Sequence, residues 1–146
     1  MMENVRIRPL EVADAPEIVR IYAAITRKPA GEELREVIED HARRRDGACF
    51  VAEREGRVVG FMISTILTAG FGLTKSAWIS MLGVSPDHMG GGIGAALAEA
   101  VFDYYRGRGI DTVYTSVRWD STDLLSFFKT LGFDRSNFIN LRKALS

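Results

Sequence analysis

Four glycines within five positions, Gly90, Gly91, Gly92 and Gly94, are the residues of this chain whose type and spacing point most directly to chemistry. They follow an apolar run, Trp78 to Val84, that reads as a buried strand, and a turn at Ser85, Pro86 and Asp87. They open into Ile93 to Arg106, whose apolar residues recur at helical spacing. Glycine takes positive φ at little cost and lets another molecule approach the bare backbone. The first N–H groups of a helix lack intrahelical partners, and the helix dipole favours negative charge there, so the stretch reads as an anion site suited to phosphate. A nucleotide P-loop needs GxxxxGK followed by Ser or Thr, and no Lys or hydroxyl follows Gly94 at that spacing. Gly90, Gly92 and Ala95 do fit the GxGxxG/A of a dinucleotide fingerprint, but its first glycine belongs in a tight turn straight off the strand, and here Ser85 to Met89 intervene. Its acidic partner should end the next strand, whereas Asp111 precedes that strand and Asp120 lies beyond it.

Val84, Pro86 and the MGGGIG of Met89 to Gly94 resemble the acetyl-coenzyme A signature of the GNAT superfamily of N-acetyltransferases, Q/R-x-x-G-x-G/A, with Gly92 and Gly94 in the glycine places. IRPLEVADAPEI at Ile7 to Ile18, FVAEREGRVVGF at Phe50 to Phe61 and SFFKTLGF at Ser126 to Phe133 extend the resemblance over nearly the whole chain. It implies a mixed sheet in which two parallel strands, Trp78 to Val84 and Thr112 to Val117, splay apart and admit a pantetheine arm. Acetyl-coenzyme A would then be held by Leu82, Gly83 and Val84 on the first of these strands and by Met89, Gly90, Gly91, Gly92, Ile93, Gly94 and Ala95 at the glycine turn. Ser121, where the family often has Asn, and Phe128 complete that set. Met89 stands where the family usually has Gln or Arg, so the backbone part of the pyrophosphate contact is what carries over. The implied reaction is direct attack of a primary amine, on a small molecule or a protein, on the acetyl thioester, with a backbone N–H near Leu82 facing the thioester oxygen.

An alkyl amine has a pKa near ~10.4 and must lose a proton before it attacks, which calls for a base or a desolvated pocket. Ala77 to Val84 carries no carboxylate, and Phe128 occupies the position where many relatives place a Tyr that protonates the leaving thiolate. A phenyl ring cannot donate a proton. A thiol of pKa near ~8.5 leaves tolerably well unaided. The catalytic residues are therefore unassigned, and an acyl-coenzyme A-binding sensor without catalysis is the competing reading, with a dinucleotide-binding protein as the third. Tyr22, Glu33, Asp120 and Asp123 are the candidate bases, each with a plainer role: Tyr22 in the core, Glu33 solvated, Asp120 a helix N-cap with Asp123 in its first turn. His88 falls in the turn near the phosphate region, where exposure is the plainer reading, and His41, on an apolar face, reads as a satisfied core histidine. Trp78 and Phe71 are candidates to line an acceptor site, against default roles in core packing and loop anchoring.

The elements that must position these residues are legible from periodicity and punctuation. Val5 to Leu10 alternates as a half-buried strand. Asp14 with Glu17 makes an Asp version of a capping box for a helix to about Arg27, with Ala15, Ile18, Tyr22 and Ile25 on one stripe. A second helix, Glu32 to Arg45, carries Leu34, Val37, Ile38, His41 and Ala42. Cys49 to Arg54 and Arg57 to Leu67 form a hairpin through Glu55 and Gly56, and Thr68 to Ser76 reads as a mobile loop. After the glycine-led helix come a strand at Thr112 to Val117, a helix at Ser121 to Leu131 with Leu124, Leu125, Phe127 and Phe128, and a last strand at Phe133 to Lys143. The order is βααβββαβαβ, an α/β mixed sheet with helices on both faces.

At 146 residues and 47% hydrophobic content the chain reads as one domain, 1–146, with a substantial core. Nineteen basic and nineteen acidic residues cancel, which removes any general electrostatic case for nucleic acid or a membrane surface. The single Cys49 excludes an internal disulfide and suits a reducing cytoplasm; at the head of a strand it reads as a small core residue. No metal site is legible. No apolar run reaches spanning length and no signal peptide is legible at the start. Dimerisation is common among look-alikes, so a homodimer is an expectation of the resemblance.

Overall fold

Alternating apolar runs form the sheet and amphipathic runs form the helices packed on it. The computed structural model describes residues 4–68 and 75–146, which fall into two units, Met1–Thr115 and Ser116–Ser146. In the first unit β1 (Val5–Pro9), β2 (Cys49–Arg54), β3 (Arg57–Thr68), β4 (Lys75–Val84) and β5 (Val113–Thr115) make one sheet in spatial order β1-β2-β3-β4-β5. Neighbours are antiparallel except β4 and β5, which run parallel.

Strand alternation sends the two sets of side chains to opposite faces. Phe61 and Ile63 of β3 join Val51 and Val58 in a core with Ala15, Ile18 and Ile21 of α1 (Ala15–Thr26) and Ile38 and Ala42 of α2 (Glu32–Arg44). Gly60 and Ser64, of the other parity, meet α3 (Ile93–Arg106) instead. A Cβ on Gly60 would lie 3.1 Å from Ile93 and 3.3 Å from Leu97, and Ser64 Oγ is 2.6 Å from Tyr105 Oη. Gly60 is thus the notch that seats the first turn of α3, and through it the glycine turn, on the sheet. The second unit holds one helix, α4 (Thr122–Thr130).

Several expectations need correction. The stripe of α1 turns inward on Ile21, 5% exposed, whereas Ile25 at its end is 37% exposed. Asp14 does not cap α1 with its side chain. Its carboxylate accepts two bonds from the Arg8 guanidinium, at 2.8 and 2.9 Å, and one from the Glu11 N–H, closing a short 3-10 turn at Val12–Asp14. Arg8 also bonds Glu53, and these two carboxylates hold its guanidinium well above its ordinary pKa. Val37, Leu124 and Leu125, placed on inward stripes by spacing, are exposed. The expected strand at Thr112 to Val117 contracts to Val113–Thr115, because pairing with β4 ends there. Phe133 to Lys143 is not a strand. Alternation yields a strand only where another strand takes up its N–H and C=O groups, and this segment enters no strand pairing; Ile139 and Leu141 stay exposed. The proposed loop at Thr68 to Ser76 gives up Thr68 to β3 and Lys75 and Ser76 to β4; Gly70, Phe71 and Gly72 lie outside the described residues.

Candidate functional site

β4 is where the sheet opens. Its parallel pairing with β5 consists of Ala77 with Val113, Trp78 with Tyr114 and Ile79 with Thr115, and the Thr115 hydroxyl donates to the Ile79 carbonyl at 2.9 Å. At this rung β4 also carries a bulge: Ile63 and Ser64 of β3 face Met81 and Ile79, leaving Ser80 as the extra residue, its hydroxyl 3.3 Å from the Ile63 carbonyl. A bulge bends its strand and increases the local twist. Past it, Met81 to Val84 keep β3 on one side, through Ile63 with Met81, Met62 with Leu82, Phe61 with Gly83 and Gly60 with Val84. Among the described residues no strand pairs with the other side. Antiparallel pairing uses the N–H and C=O of alternate residues, so the others in this stretch point to the open edge.

The chain then leaves β4 with the Ser85 N–H on the Val59 carbonyl at 2.8 Å, makes a 3-10 turn at Pro86–His88, and enters the glycines. Gly90 and Gly92 have φ of 84° and 87°, the left-handed region where other residues are strained. A Cβ at Gly90 would meet nothing within 4 Å, so glycine is required there by backbone conformation. Gly91 and Gly94 do not take positive φ; Gly94 lies inside α3. Gly92 is the N-cap, with no side chain to cap the helix, and no acidic residue occupies the first turn. The N–H groups of Ile93, Gly94 and Ala95 therefore begin α3 without an intrahelical acceptor.

The other predicted contact residues divide. Leu82 and Val84 are half-buried on the open stretch, whereas Gly83 is a packing notch, since its Cβ would fall 2.8 Å from Ile25 and 2.9 Å from Phe61. Ile93 is buried at 2% exposure and offers only its backbone, while Met89 is 57% exposed. Ser121 and Phe128 belong to the second unit. Ser121 precedes α4 without a side-chain capping bond, and Phe128 is buried edge-to-face with Phe127 and Phe133, at centroid distances of 5.3 and 5.0 Å.

Among the candidate bases, Tyr22 packs against the α1/α2 core and Glu33 is exposed. Asp120 is not the N-cap of α4, a place taken by Ser121. It accepts two bonds from Arg118, both 2.9 Å, which hold its carboxyl below the usual range. Asp123 is in the first turn as expected. His41 is not satisfied: its Nδ1 is buried without a hydrogen-bond partner among the described residues, and burial lowers its pKa. His88 is half-buried, its Nδ1 likewise without a partner among the described residues. Burial pushes the Cys49 thiol up, in keeping with a packing role. Periodicity missed one polar cluster at the back of the bulge: Tyr105 Oη accepts from the Ala48 N–H at 3.0 Å and meets Ser64 Oγ, which also donates to the Ala48 carbonyl. A serine directly after the apolar run Val58 to Ile63 was the signal available.

A family model described as Acetyltransferase (GNAT) family matches residues 15–133. A mycothiol acetyltransferase of Saccharomonospora viridis is 35% identical over 92 residues, 61% of this chain and 30% of that protein, so the chain spans about a third of that relative's length. The fold matches an aminoglycoside acetyltransferase from an uncultured soil metagenomic sample, in complex with sisomicin, with a TM-score of 0.83 at 20% identity over 100% of both chains. It also matches an aminoglycoside N-acetyltransferase in complex with CoA, with a TM-score of 0.81 at 15% identity over 96% of this chain and 94% of the other.

Proposed function

The chain belongs to the GNAT acetyltransferase family, and from that premise we propose that it is an N-acetyltransferase that moves an acetyl group from acetyl-coenzyme A to a primary amine. The observation that carries the reading is the continuity of two unpaired backbone surfaces: the open edge of β4 past Ile79 and the uncapped start of α3 behind Gly92. The first suits an amide-bearing pantetheine arm, the second its pyrophosphate. At the second surface Gly92 has no side chain and the first turn of α3 holds no acid, so neither competes with a phosphate. Bound acetyl-coenzyme A supplies an activated acetyl carbon and a thiolate leaving group. In this reading backbone groups of Leu82 and Val84 hold the arm, and an N–H near Leu82 faces the oxygen that gains negative charge. N–H groups from Gly90 to Ala95 hold the phosphates, and Met89 adds no charge. Ser121 and Phe128 are assigned to the same ligand by family resemblance. The whole chain acts as one acetyltransferase domain in the cytoplasm, the unpaired Cys49 suiting a reducing compartment. A small-molecule amine is the favoured acceptor, because the relatives above are named for mycothiol and for aminoglycosides.

Calorimetric titration tests the donor, with acetyl-coenzyme A in one arm and NAD and ATP in the others. Saturable heat from acetyl-coenzyme A alone is expected, and silence from it in folded protein would overturn the reading. The absence of a carboxylate on β4 and the burial of Phe128 where a Tyr would donate a proton favour a second reading, an acyl-coenzyme A sensor. Intact binding without turnover on an amine panel would select it.

A further inference from the structure

Between Ala77 and Val84 only one side chain carries an oxygen, that of Ser80. Ser80 is also the residue that the β4 bulge sets outside the ladder, between Ile79, which faces Ser64, and Met81, which faces Ile63. A bulge leaves its extra residue unpaired and re-aims the side chain. This one sits where the sheet opens. Ile79 makes the last rung with β5, and Leu82, near which the acetyltransferase reading puts the thioester oxygen, is two residues further on from Ser80, about 6–7 Å of extended strand. Ser80 is exposed there. A hydroxyl has one proton to donate and lone pairs that accept. The Ser80 proton goes to the Ile63 carbonyl, at 3.3 Å, so the capacity that remains to this side chain is that of an acceptor.

Neighbouring polar groups are already engaged. The Ile79 carbonyl takes the Thr115 hydroxyl at 2.9 Å, and the Trp78 indole N–H donates to Ser76 Oγ at 2.8 Å. The rung is held from behind by a closed ring of hydrogen bonds: the Ala48 N–H donates to Tyr105 Oη at 3.0 Å, Tyr105 donates to Ser64 Oγ at 2.6 Å, and Ser64 donates to the Ala48 carbonyl. Ser64 and Tyr105 are both buried, and a satisfied buried network rigidifies what it joins. Ser80 is thus placed before any ligand arrives.

We propose that Ser80 recognises the acceptor: its Oγ accepts a hydrogen bond from an N–H of the attacking amine and directs the nitrogen lone pair at the acetyl carbon. This rests on the acetyltransferase reading. A neutral primary amine has two N–H groups and one lone pair, so giving one N–H to Ser80 constrains where the lone pair points, which is what attack requires. In that step the C–N bond forms, the C–S bond breaks with its electron pair leaving on sulfur, and the proton that nitrogen loses ends, in net terms, on the thiol of coenzyme A. Ser80 keeps its own proton on the Ile63 carbonyl throughout. It orients the nucleophile and is not the base.

The experiment compares Ser80→Thr with Ser80→Val in the full chain, two side chains of the same shape of which only the first carries an oxygen. Circular dichroism and acetyl-coenzyme A calorimetry come first. Acetylation is then followed with glucosamine, phenethylamine, spermidine and an N-capped lysine peptide, and binding of the amine turned over fastest is measured by calorimetry with coenzyme A present. Ser80→Thr should stay within threefold of the unsubstituted chain. Ser80→Val should lower kcat/KM for the amine and weaken its binding at least tenfold, with acetyl-coenzyme A affinity and the pH profile of kcat/KM unmoved. Equal losses in the two variants, no loss in Ser80→Val, a pH profile that moves with it, or turnover of no amine by protein that binds acetyl-coenzyme A would each overturn the assignment. Failure of the unsubstituted chain to bind acetyl-coenzyme A would bring down the acetyltransferase reading itself.

Discussion

Single residues decide how the anion end of the site works. Gly92 combines a φ of 87° with the N-cap position of α3, so Gly92→Asp both strains the turn and sets a carboxylate at the proposed phosphate site. We expect acetyl-coenzyme A affinity to fall at least tenfold, by calorimetry, in protein with native circular dichroism. Met89 is 57% exposed beside this turn, and Met89→Arg restores a cation to it; a several-fold tighter Kd is expected, weakening as salt is added. His41 gives a stability prediction with a definite sign. Burial holds its imidazole below the ordinary 6.5, so the unfolded chain takes up its proton first on acidification. The contribution is fully present above pH 6.5 and is lost as the pH falls through the lower folded value. The urea midpoint should therefore decline below pH 6.5, and His41→Gln should flatten that decline.

Elements were legible where punctuation is local and illegible where partners come from far along the chain. Cys49–Arg54 and Ile93–Arg106 have the bounds read from the sequence, because Glu55 and Gly56 end the first and the glycine cluster and Gly107 frame the second. The cap assigned to Asp14 failed because Arg8, held also by Glu53 across the β1/β2 pair, claims that carboxylate. Close approach is equally nonlocal. Gly47 precedes β2, and a Cβ there would lie 2.5 Å from the Ser64 carbonyl oxygen and 2.6 Å from Thr65 Cα, both backbone atoms that cannot swing aside. Gly47→Ala should cost about 1–3 kcal/mol in chemical denaturation, as overpacking does. The same strain falls on β3 opposite the β4 bulge, so this variant should also bind acetyl-coenzyme A more weakly than its stability loss alone accounts for.

For the whole molecule, a ligand that binds only the folded chain stabilises it by mass action. At about 100 times its Kd, acetyl-coenzyme A should add about 2.7 kcal/mol to the unfolding free energy, seen as a raised Tm that NAD does not produce. The family, the mixed α/β class, the glycine turn and the strand that leads into it were readable from sequence, because each depends on residue types a few positions apart: apolar period, glycines at a helix start, a turn at Pro86. Only the tertiary structure decided that β5 stops after three residues, that Ser80 is extruded at that rung, that Gly60 and Gly83 are seats for α3 and α1, and that Trp78 stacks on Tyr114. It also left Phe133 to Lys143 without a strand, despite the pattern. Periodicity states which face a side chain takes; whether that face meets a partner depends on residues tens of positions away, and the distances between them exist only once the chain has folded.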